Sequence, residues 1–245
     1  MKKILPALTL AVLFACPAAF AQIDDKEKDE GFVQIFNAAD LNDFSYDPNV
    51  WSIKDKIIVG QTAAEGPAKL KYNTFLIWKG EPVEDFVMRF DIKVSKSGNS
   101  GLQYRSWVLP DPPYRVNGYQ ADFDGSHNHS GIMYAEGFGG ILCQRGKESV
   151  IEAGRKSRTV NEFAASADLK QKLKTEDWNS YEVTAEGFTF THKINGEVMS
   201  ITKDDDLSGR KAGGILAFQA HAGPPMTVEI KNIRLKRIKK SSEVQ

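Results

Sequence analysis

The 245-residue sequence predicts an all-β protein, either a β-sandwich or a jelly roll. Three observations predict this class. Apolar and polar residues alternate with a period of two in about a dozen short segments. Turn signals separate the segments, including an Asn-Gly pair at 195–196 whose residues both accept positive φ. The only helix-like stretch is short and runs from Val160 to Leu173.

The chain opens with a predicted secretory signal peptide over residues 1–21. Two lysines precede an apolar run that extends from Ile4 to Ala15, and small residues lead up to Ala21. This run is shorter than the about 20 residues that a transmembrane helix needs. We therefore expect cleavage after Ala21 and a periplasmic or secreted protein. The alternative is lipidation of Cys16, which would anchor the protein to a membrane.

A single domain is expected over residues 31–238. Residues 22–30 are almost all charged and are predicted to be a disordered leader, and residues 239–245 are predicted to be a disordered tail. Between them the sequence has no internal repeat and no Pro-, Gly- or Ser-rich linker that could separate two domains. About 210 residues are enough to bury a core.

Strand segments follow one another through this domain. The clearest is EDFVMRFDIKVS, in which alternate residues from Phe86 to Val94 are apolar and the residues between them are mostly polar. The other candidates, in order, are GFVQIF, VWSIKDKIIVG, NTFLIW, SGLQYRSW, GYQADF, SGIMYAE, GGILCQR, NSYEVTAE, FTFTHKI, EVMSIT, GGILAFQAH and TVEIKNIRLKRI. In the last segment the apolar parity changes, which predicts a β-bulge near Asn232. His192 alternates with apolar residues and is assigned to the core.

The charge balance argues against nucleic acid as a partner. The chain has 32 basic and 32 acidic residues, and cleavage of the signal peptide leaves 30 basic against 32 acidic. No basic field remains to attract a polyanion. No segment after Gln22 is apolar enough to span a membrane. Cleavage also leaves Cys143 as the only cysteine, so no intrachain disulfide can form.

Several stretches of the domain form a recognisable combination. They are GFVQIFNAADLNDF, Trp-x-Ile-x-Asp-x-x-Ile-x-Gly from Trp51, DFVMRFDIKVS, GNSGLQYR, GYQADFD, SGIMY, Trp-Asn at 178–179, the NGE turn and GILAFQAHAGPPMTVEIKNIRLKRI. Together they resemble the 3-keto-disaccharide hydrolase family, formerly a family of unknown function. The resemblance implies a concanavalin-like jelly-roll sandwich of two antiparallel sheets. It also implies an exported hydrolase or lyase that cleaves glycosidic bonds of oxidised sugars. One departure is the lack of arginine after Tyr134, where a branch of the family carries it.

Polar residues occupy one parity of several strand segments. In GNSGLQYR they are Gln103 and Arg105, and in ILAFQAH they are Gln219 and His221. Such groups suit the vicinal hydroxyls of a sugar because each makes directional hydrogen bonds. The alternative is an ordinary solvent-facing sheet. The predicted substrate-binding residues are Gln103, Gln120, Asp124, Gln219, Tyr134 of the Gly-x-x-Tyr motif, and Trp107, which could stack on a sugar ring.

Three residues are assigned catalytic roles on the basis of the resemblance and of their chemistry. His221 is the expected acid or base, because an unperturbed imidazole, with a pKa near 6.5, accepts and returns a proton at neutral pH. It matches the family's Gln-x-His-Gly-like ending, with Ala222 in place of the glycine. Arg105, or a metal near Asp122, is expected to stabilise an enolate. Asp122 itself is the third residue and is expected to position the sugar.

The string DFDGSHNH could also hold a divalent metal, the one cofactor that the sequence suggests. The candidate ligands are Asp122, Asp124, His127 and His129. The string is too short for an EF-hand loop of about 12 residues. A polar surface loop explains the same residues.

Ordinary acid/base glucan hydrolysis is disfavoured, because the Glu-x-Asp-x-x-Glu string common in jelly-roll glucanases is absent. A 3-keto sugar allows β-elimination instead, because the ketone acidifies the hydrogen on C2, and water can add afterwards. The resemblance implies cleavage of 3-keto-glycosides by hydrolysis, and this chemistry offers elimination followed by hydration as a route. The alternative is a non-catalytic, lectin-like carbohydrate-binding module.

Overall fold

A computed structural model describes residues 23–239 of the chain. The predicted signal peptide, the alternative lipidation site at Cys16 and tail residues 240–245 lie outside the described residues. Over residues 23–239 the chain forms seventeen strands and two short helices. The helices are α1 (Asp25–Asp29) and α2 (Ser166–Lys170). In chain order the strands are β1 (Val33–Gln34), β2 (Phe44–Ser45), β3 (Trp51–Lys54), β4 (Ile57–Gln61), β5 (Thr74–Trp78), β6 (Phe86–Val94), β7 (Asn99–Val108), β8 (Val116–Asp124), β9 (Met133–Glu136), β10 (Gly140–Cys143), β11 (Lys147–Glu152), β12 (Lys156–Glu162), β13 (Asn179–Glu186), β14 (Thr189–Ile194), β15 (Glu197–Asp204), β16 (Ile215–Ala220) and β17 (Thr227–Arg237).

The strands form two sheets that enclose one core. The larger sheet has the order β12-β11-β15-β14-β13-β6-β17-β4-β3, with β1 also paired to β17. The seven-stranded sheet has the order β10-β9-β8-β7-β16-β5-β2. Neighbouring strands are antiparallel, with the exception that β11 and β15 run parallel. The prediction of a single all-β domain with two sheets is confirmed.

The core forms where the apolar parities of the two sheets face each other. In β6 the residues predicted to face inward are buried, and those between them are half-buried. Phe90 stacks on Tyr181 at 5.2 Å between ring centres. Each buried aromatic of this kind contributes roughly 2–3 kcal/mol through the apolar area that it removes from water. His192 is also buried in the core as predicted, and burial lowers its pKa to about 4.

Two local predictions are confirmed by the backbone. Asn195 and Gly196 have φ of 53° and 86° and connect β14 to β15. At Asn232, φ is 53°, and the register of β17 with β6 shifts between Lys231 and Arg234. The shift is the predicted bulge, which lets both halves of β17 present apolar residues to the core.

Two other predictions need correction. The charged leader predicted to be disordered contains α1, because Glu27 forms ion pairs with Arg89 at 3.2 Å and Arg234 at 2.9 Å on the outer face of the larger sheet. The helix predicted from Val160 to Leu173 is limited to α2. Its first residues belong instead to β12, because they continue the edge pairing with β11.

No helix within residues 23–239 has the length and apolar character needed to cross a membrane. Cys143 is buried and carries a free thiol.

Candidate functional site

A polar cavity of about 230 Å³ opens on the outer face of the seven-stranded sheet, away from the core. Residues of β7, β8, β9, β10 and β16 meet there with residues from the loops that precede β5 and that follow β8 and β16. The lining consists of Asn73, Asn99, Gln120, Asp122, His129, Ile132, Tyr134, Glu136, Ile141, Gln219 and His221. Amide, carboxyl, phenol and imidazole groups therefore surround one small volume.

Strand register explains why these side chains converge. Gln120 of β8 pairs with Tyr134 of β9, and Asp122 pairs with Gly101 of β7. Gly101 makes room for the side chain of Gln120 because it has no side chain of its own. A Cβ there would lie 2.6 Å from the carbonyl oxygen of Ala121 and 2.9 Å from Cγ of Gln120. A larger residue would therefore displace Gln120.

A chain of buried amides supports the carboxyl group at the floor of the cavity. Ser106 Oγ donates to Gln103 Oε1 at 2.8 Å, and Gln103 Nε2 donates to Gln120 Oε1 at 2.7 Å. Gln120 Nε2 then donates to Asp122 Oδ1 at 2.5 Å and to Gln219 Oε1 at 3.3 Å. An ionised carboxylate can only accept hydrogen bonds, so it sets the orientation of each amide behind it.

Asp122 has the electrostatics of a proton-transfer group. The residue is only 5% exposed to solvent, and burial raises the pKa of its carboxyl to about 7. Hydrogen bonds from Gln120 and from Asn99, at 3.3 Å, oppose this rise, whereas the charges of Asp124 and Glu136 add to it. At neutral pH the carboxyl is therefore near the midpoint of its titration, where a group both accepts and donates protons most readily.

Glu136 and His221 form the opposite side of the cavity. Burial raises the pKa of Glu136, while a hydrogen bond from Asn73 and the charges of His221 and Arg115 oppose the rise. Asn73 Nδ2 donates to Glu136 Oε2 at 3.4 Å, and Asn73 Oδ1 accepts from the Ala222 amide at 2.9 Å. Asn73 thus connects Glu136 to the loop that carries His221. The imidazole of His221 is exposed at the rim, directly after β16.

Residues 31–236 match the 3-keto-alpha-glucoside-1,2-lyase-like domain. The chain belongs to this family. Membership associates the chain with glycan-related function and confirms the family predicted from the sequence. No curated protein matches the chain.

Solved structures share the fold of this family member at low sequence identity. A "putative glycosyl hydrolase" from Parabacteroides distasonis has a TM-score of 0.59 at 19% identity, over 89% of this chain and 99% of that one. The carbohydrate-binding module CBM66 from Bacillus subtilis has a TM-score of 0.51 at 14% identity, over 79% and 95%. A B. subtilis protein of unknown function with a galectin-like fold has a TM-score of 0.53 at 10% identity, over 84% and 94%. These similarities support the predicted jelly-roll architecture.

The cavity of this family member brings together six of the predicted site residues. They are Gln120, Asp122, His129, Tyr134, Gln219 and His221. Gln103 does not line the cavity, because it is fully buried behind Gln120. Its predicted contact with substrate is replaced by a contact with Gln120.

Arg105 lies elsewhere, and its predicted place in the site is wrong. Its φ of 47° marks a bulge in β7 that breaks the alternation shared with Gln103. The guanidinium turns toward the core, 5.1 Å from the ring centre of Phe190, and pairs with Asp85 at 2.8 Å. It also donates to the carbonyl oxygens of Glu84 and Lys211. Arg105 is therefore a buried structural cation.

Trp107 is also absent from the cavity. The same bulge shifts the parity of the residues that follow it in β7. The indole packs edge-on against Phe138 at 5.2 Å between ring centres, with Lys211 Nζ 5.2 Å from the indole. The predicted stacking of Trp107 on a sugar in this cavity is therefore wrong.

The predicted metal cluster does not form. The carboxylate of Asp124 accepts hydrogen bonds from the amides of Asn128, His129 and Ser130, and it organises the loop after β8. These bonds hold the pKa of Asp124 below its ordinary value although burial alone would raise it. His127 packs against Phe123 at 5.5 Å between ring centres. Within residues 23–239, no group of three or more His, Cys, Asp or Glu side chains is arranged to hold a metal ion.

Sequence reasoning missed Asn73, Asn99 and Glu136. A signal for Glu136 was available, because Tyr134 and Glu136 share the polar parity of β9 while Ala135 between them is buried. Asn99 has the parity of Gln103 at the start of β7. Asn73 precedes β5 in a loop, where no periodicity marks it.

Proposed function

We propose that this chain cleaves the glycosidic bond of 3-keto-glycosides by β-elimination, and that the polar cavity is its active site. The observation that carries the proposal is Asp122, a buried carboxyl with a pKa of about 7 among sugar-compatible hydrogen-bonding groups. The family supports the substrate class. The volume of about 230 Å³ lies below the roughly 300–1,000 Å³ of drug-sized ligand sites, which suits a single sugar ring.

The reaction needs a base, a stabilised enolate and a proton for the leaving oxygen. The base removes the proton on C2, and the electrons of that C–H bond form an enolate with the ketone at C3. The enolate then re-forms the ketone while the bond from C1 to the glycosidic oxygen breaks. The glycosidic oxygen leaves with the electron pair of its bond to C1 and then takes a proton. The products are an unsaturated keto sugar and a free alcohol or sugar.

Asp122 is the proposed base, because its carboxylate lies on the cavity floor and the amide chain orients it. His221 is the proposed donor to the leaving oxygen, since its imidazole stands at the open rim. Gln219 uses its oxygen to accept from Gln120, which leaves its amide hydrogens free for the enolate oxygen. Burial raises the pKa of Tyr134, so its phenol stays protonated and can also donate.

Hydrolysis follows if water then adds to the double bond of the first product. Asp122, now protonated, returns its proton to C2, and the oxygen of water bonds to C1. The net change is hydrolysis of the glycoside with retention of the ketone. Glu136 is the proposed group that accepts the proton of this water, because it shares the cavity with Asp122. That proton then passes to His221, which lines the same cavity and gave its own proton to the leaving oxygen, so that both groups return to their starting states.

The test uses two 3-keto-glucosides that differ in the leaving group, one releasing 4-nitrophenol and one releasing glucose. Asp122→Asn should lower kcat/KM for both by about 10²–10⁴-fold, the range typical of a lost general base. His221→Ala should lower it strongly for the glucose leaving group and little for 4-nitrophenol, which leaves without protonation. Circular dichroism confirms that the variants are folded. Wild-type turnover in Asp122→Asn would refute the proposal.

A non-catalytic carbohydrate-binding role is the second candidate. The fold shared with the module CBM66 favours it. It predicts that the protein binds the same glycosides without releasing product, as measured by calorimetry alongside the release assay.

The site of action is proposed to lie outside the cytoplasm, on the basis of the N-terminal sequence. Mass spectrometry of the protein from the periplasm should give a mature chain that begins at Gln22. A lipid-modified N-terminal Cys16 would support the anchored alternative.

A further inference from the structure

A second cleft, of about 420 Å³, adjoins the proposed active site. Its walls are the Pro-rich loop between β7 and β8 and the segment that precedes β5. Asn73 lines both the cleft and the cavity, so the two spaces meet at that residue. A glycoside whose oxidised ring occupies the cavity could therefore extend its leaving group into the cleft.

The cleft is positively charged. Lys69, Lys71 and Arg115 line it, and within residues 23–239 none of the three forms an ion pair with a carboxylate within 4.0 Å. Lys71 Nζ and Arg115 Cζ lie 5.2 and 4.8 Å from the centre of the Tyr72 ring, so they are at most about 10 Å apart. Asp47 is the one acidic residue among those lining the cleft, and its Oδ1 accepts hydrogen bonds from Asn49.

The cationic wall is held in place before any ligand arrives. The amide of Phe75 donates to the carbonyl oxygen of Tyr114 at 2.9 Å. The amide of Leu109 donates to the carbonyl oxygen of Arg115 at 2.8 Å. Pro112 and Pro113 further restrict the loop between them. A preorganised wall reduces the entropy lost when a ligand binds.

The charge of Arg115 reaches the cavity as well as the cleft. The pKa of Glu136 is raised by burial, and Arg115 is among the groups that oppose this rise. Arg115 therefore lies where it can act on a ligand that spans both spaces. Its planar guanidinium can bind a carboxylate through two parallel hydrogen bonds.

We propose that the cleft is the leaving-group subsite and that it selects glycosides whose leaving group is an anionic sugar, such as a uronic acid. This inference rests on the proposed function for the position of the scissile bond. The ring of Tyr72, exposed beside the two cations, adds apolar surface to the cleft.

A binding experiment tests the cleft without turnover. Methyl glucuronide and its neutral twin methyl glucoside are titrated into the full-length protein, and affinity is measured by NMR. We expect the glucuronide to bind at least tenfold more tightly at low salt, with the preference shrinking as NaCl screens the charges. Arg115→Gln should remove the preference. Lys79→Gln, which removes the same charge at the far end of β5, should keep it.

Turnover then separates this inference from the proposed function. A 3-keto-glucoside with a glucuronate leaving group should show a kcat/KM at least tenfold above that of the glucose analogue, and Arg115→Gln should reduce this ratio toward one. Equal affinities and equal kcat/KM values would overturn the inference and leave the proposed function standing. A binding preference that depends on Arg115, with no cleavage of either glycoside, would support the anionic cleft and refute the proposed function.

Discussion

Replacing Asp122 with asparagine should stabilise the folded protein at neutral and alkaline pH. The carboxyl of Asp122 has a pKa raised from 3.8 to about 7, chiefly by burial. An acid with a raised pKa in the folded state holds its proton more tightly there than in the unfolded chain. Between the two pKa values the unfolded state loses its proton first, so the stability of the folded state falls as pH rises through this window.

The magnitude follows from the size of the shift. A difference of about three pKa units corresponds to about 4 kcal/mol at about 1.36 kcal/mol per unit. Near pH 3.5 the folded state is protonated and the unfolded state mostly so, and burial of Asp122 therefore costs little. Above pH 7 the folded state carries the buried charge and the full cost. Asparagine does not titrate, and its amide can keep one hydrogen bond as acceptor while Asn99, at 3.3 Å, reorients. The free energy of unfolding of the variant, relative to that of the wild type, should therefore rise by about 4 kcal/mol from pH 3.5 to pH 8.

Urea denaturation followed by circular dichroism at several pH values measures this difference directly. Groups far from Asp122 titrate alike in both proteins, so their contributions cancel. The charges of Asp124 and Glu136 act on Asp122, so this coupling is part of the measured difference. Asp124→Asn is the matched control, because hydrogen bonds hold the pKa of Asp124 below its ordinary value. Asparagine at 124 should destabilise the protein, more so above pH 4 than below it. If the difference in free energy of unfolding between the wild type and Asp122→Asn does not change with pH, the assignment of a raised pKa to Asp122 is refuted.

Two further substitutions test the parts of the structure around the cavity. Gln103→Leu leaves the buried Gln120 carbonyl without its donor and should lower the free energy of unfolding by about 1–3 kcal/mol in urea titrations; a variant as stable as the wild type would contradict the amide chain. Arg105→Met leaves Asp85 without its cation and should lower stability by about 3–5 kcal/mol, while turnover per folded molecule persists; complete loss of turnover in a folded sample would restore Arg105 to the site.

Much of the cavity could be predicted from strand alternation. Gln120 and Asp122 share a face of β8 because only one residue separates them, and Gln219 follows the same rule in β16. Alternation is a property of any extended backbone, so it is readable before the fold is known. The alternation of β7 broke at Arg105, where a residue with left-handed backbone conformation inserts a bulge. At Asn232 a change of apolar parity marked the bulge in the sequence, whereas no such change marks the one at Arg105, and every side chain that follows it in β7 changes face.

The sequence by itself determined the all-β class, the family, the Asn195-Gly196 turn and the polar parity of the site strands, because each depends on residues close together in the chain. Tertiary structure decided which polar residues share a volume. It placed Glu136 and Asn73 beside Asp122, and it buried that carboxyl enough to raise its pKa. Burial and charge act between strands that are distant in sequence, so only the packed sheets could establish them.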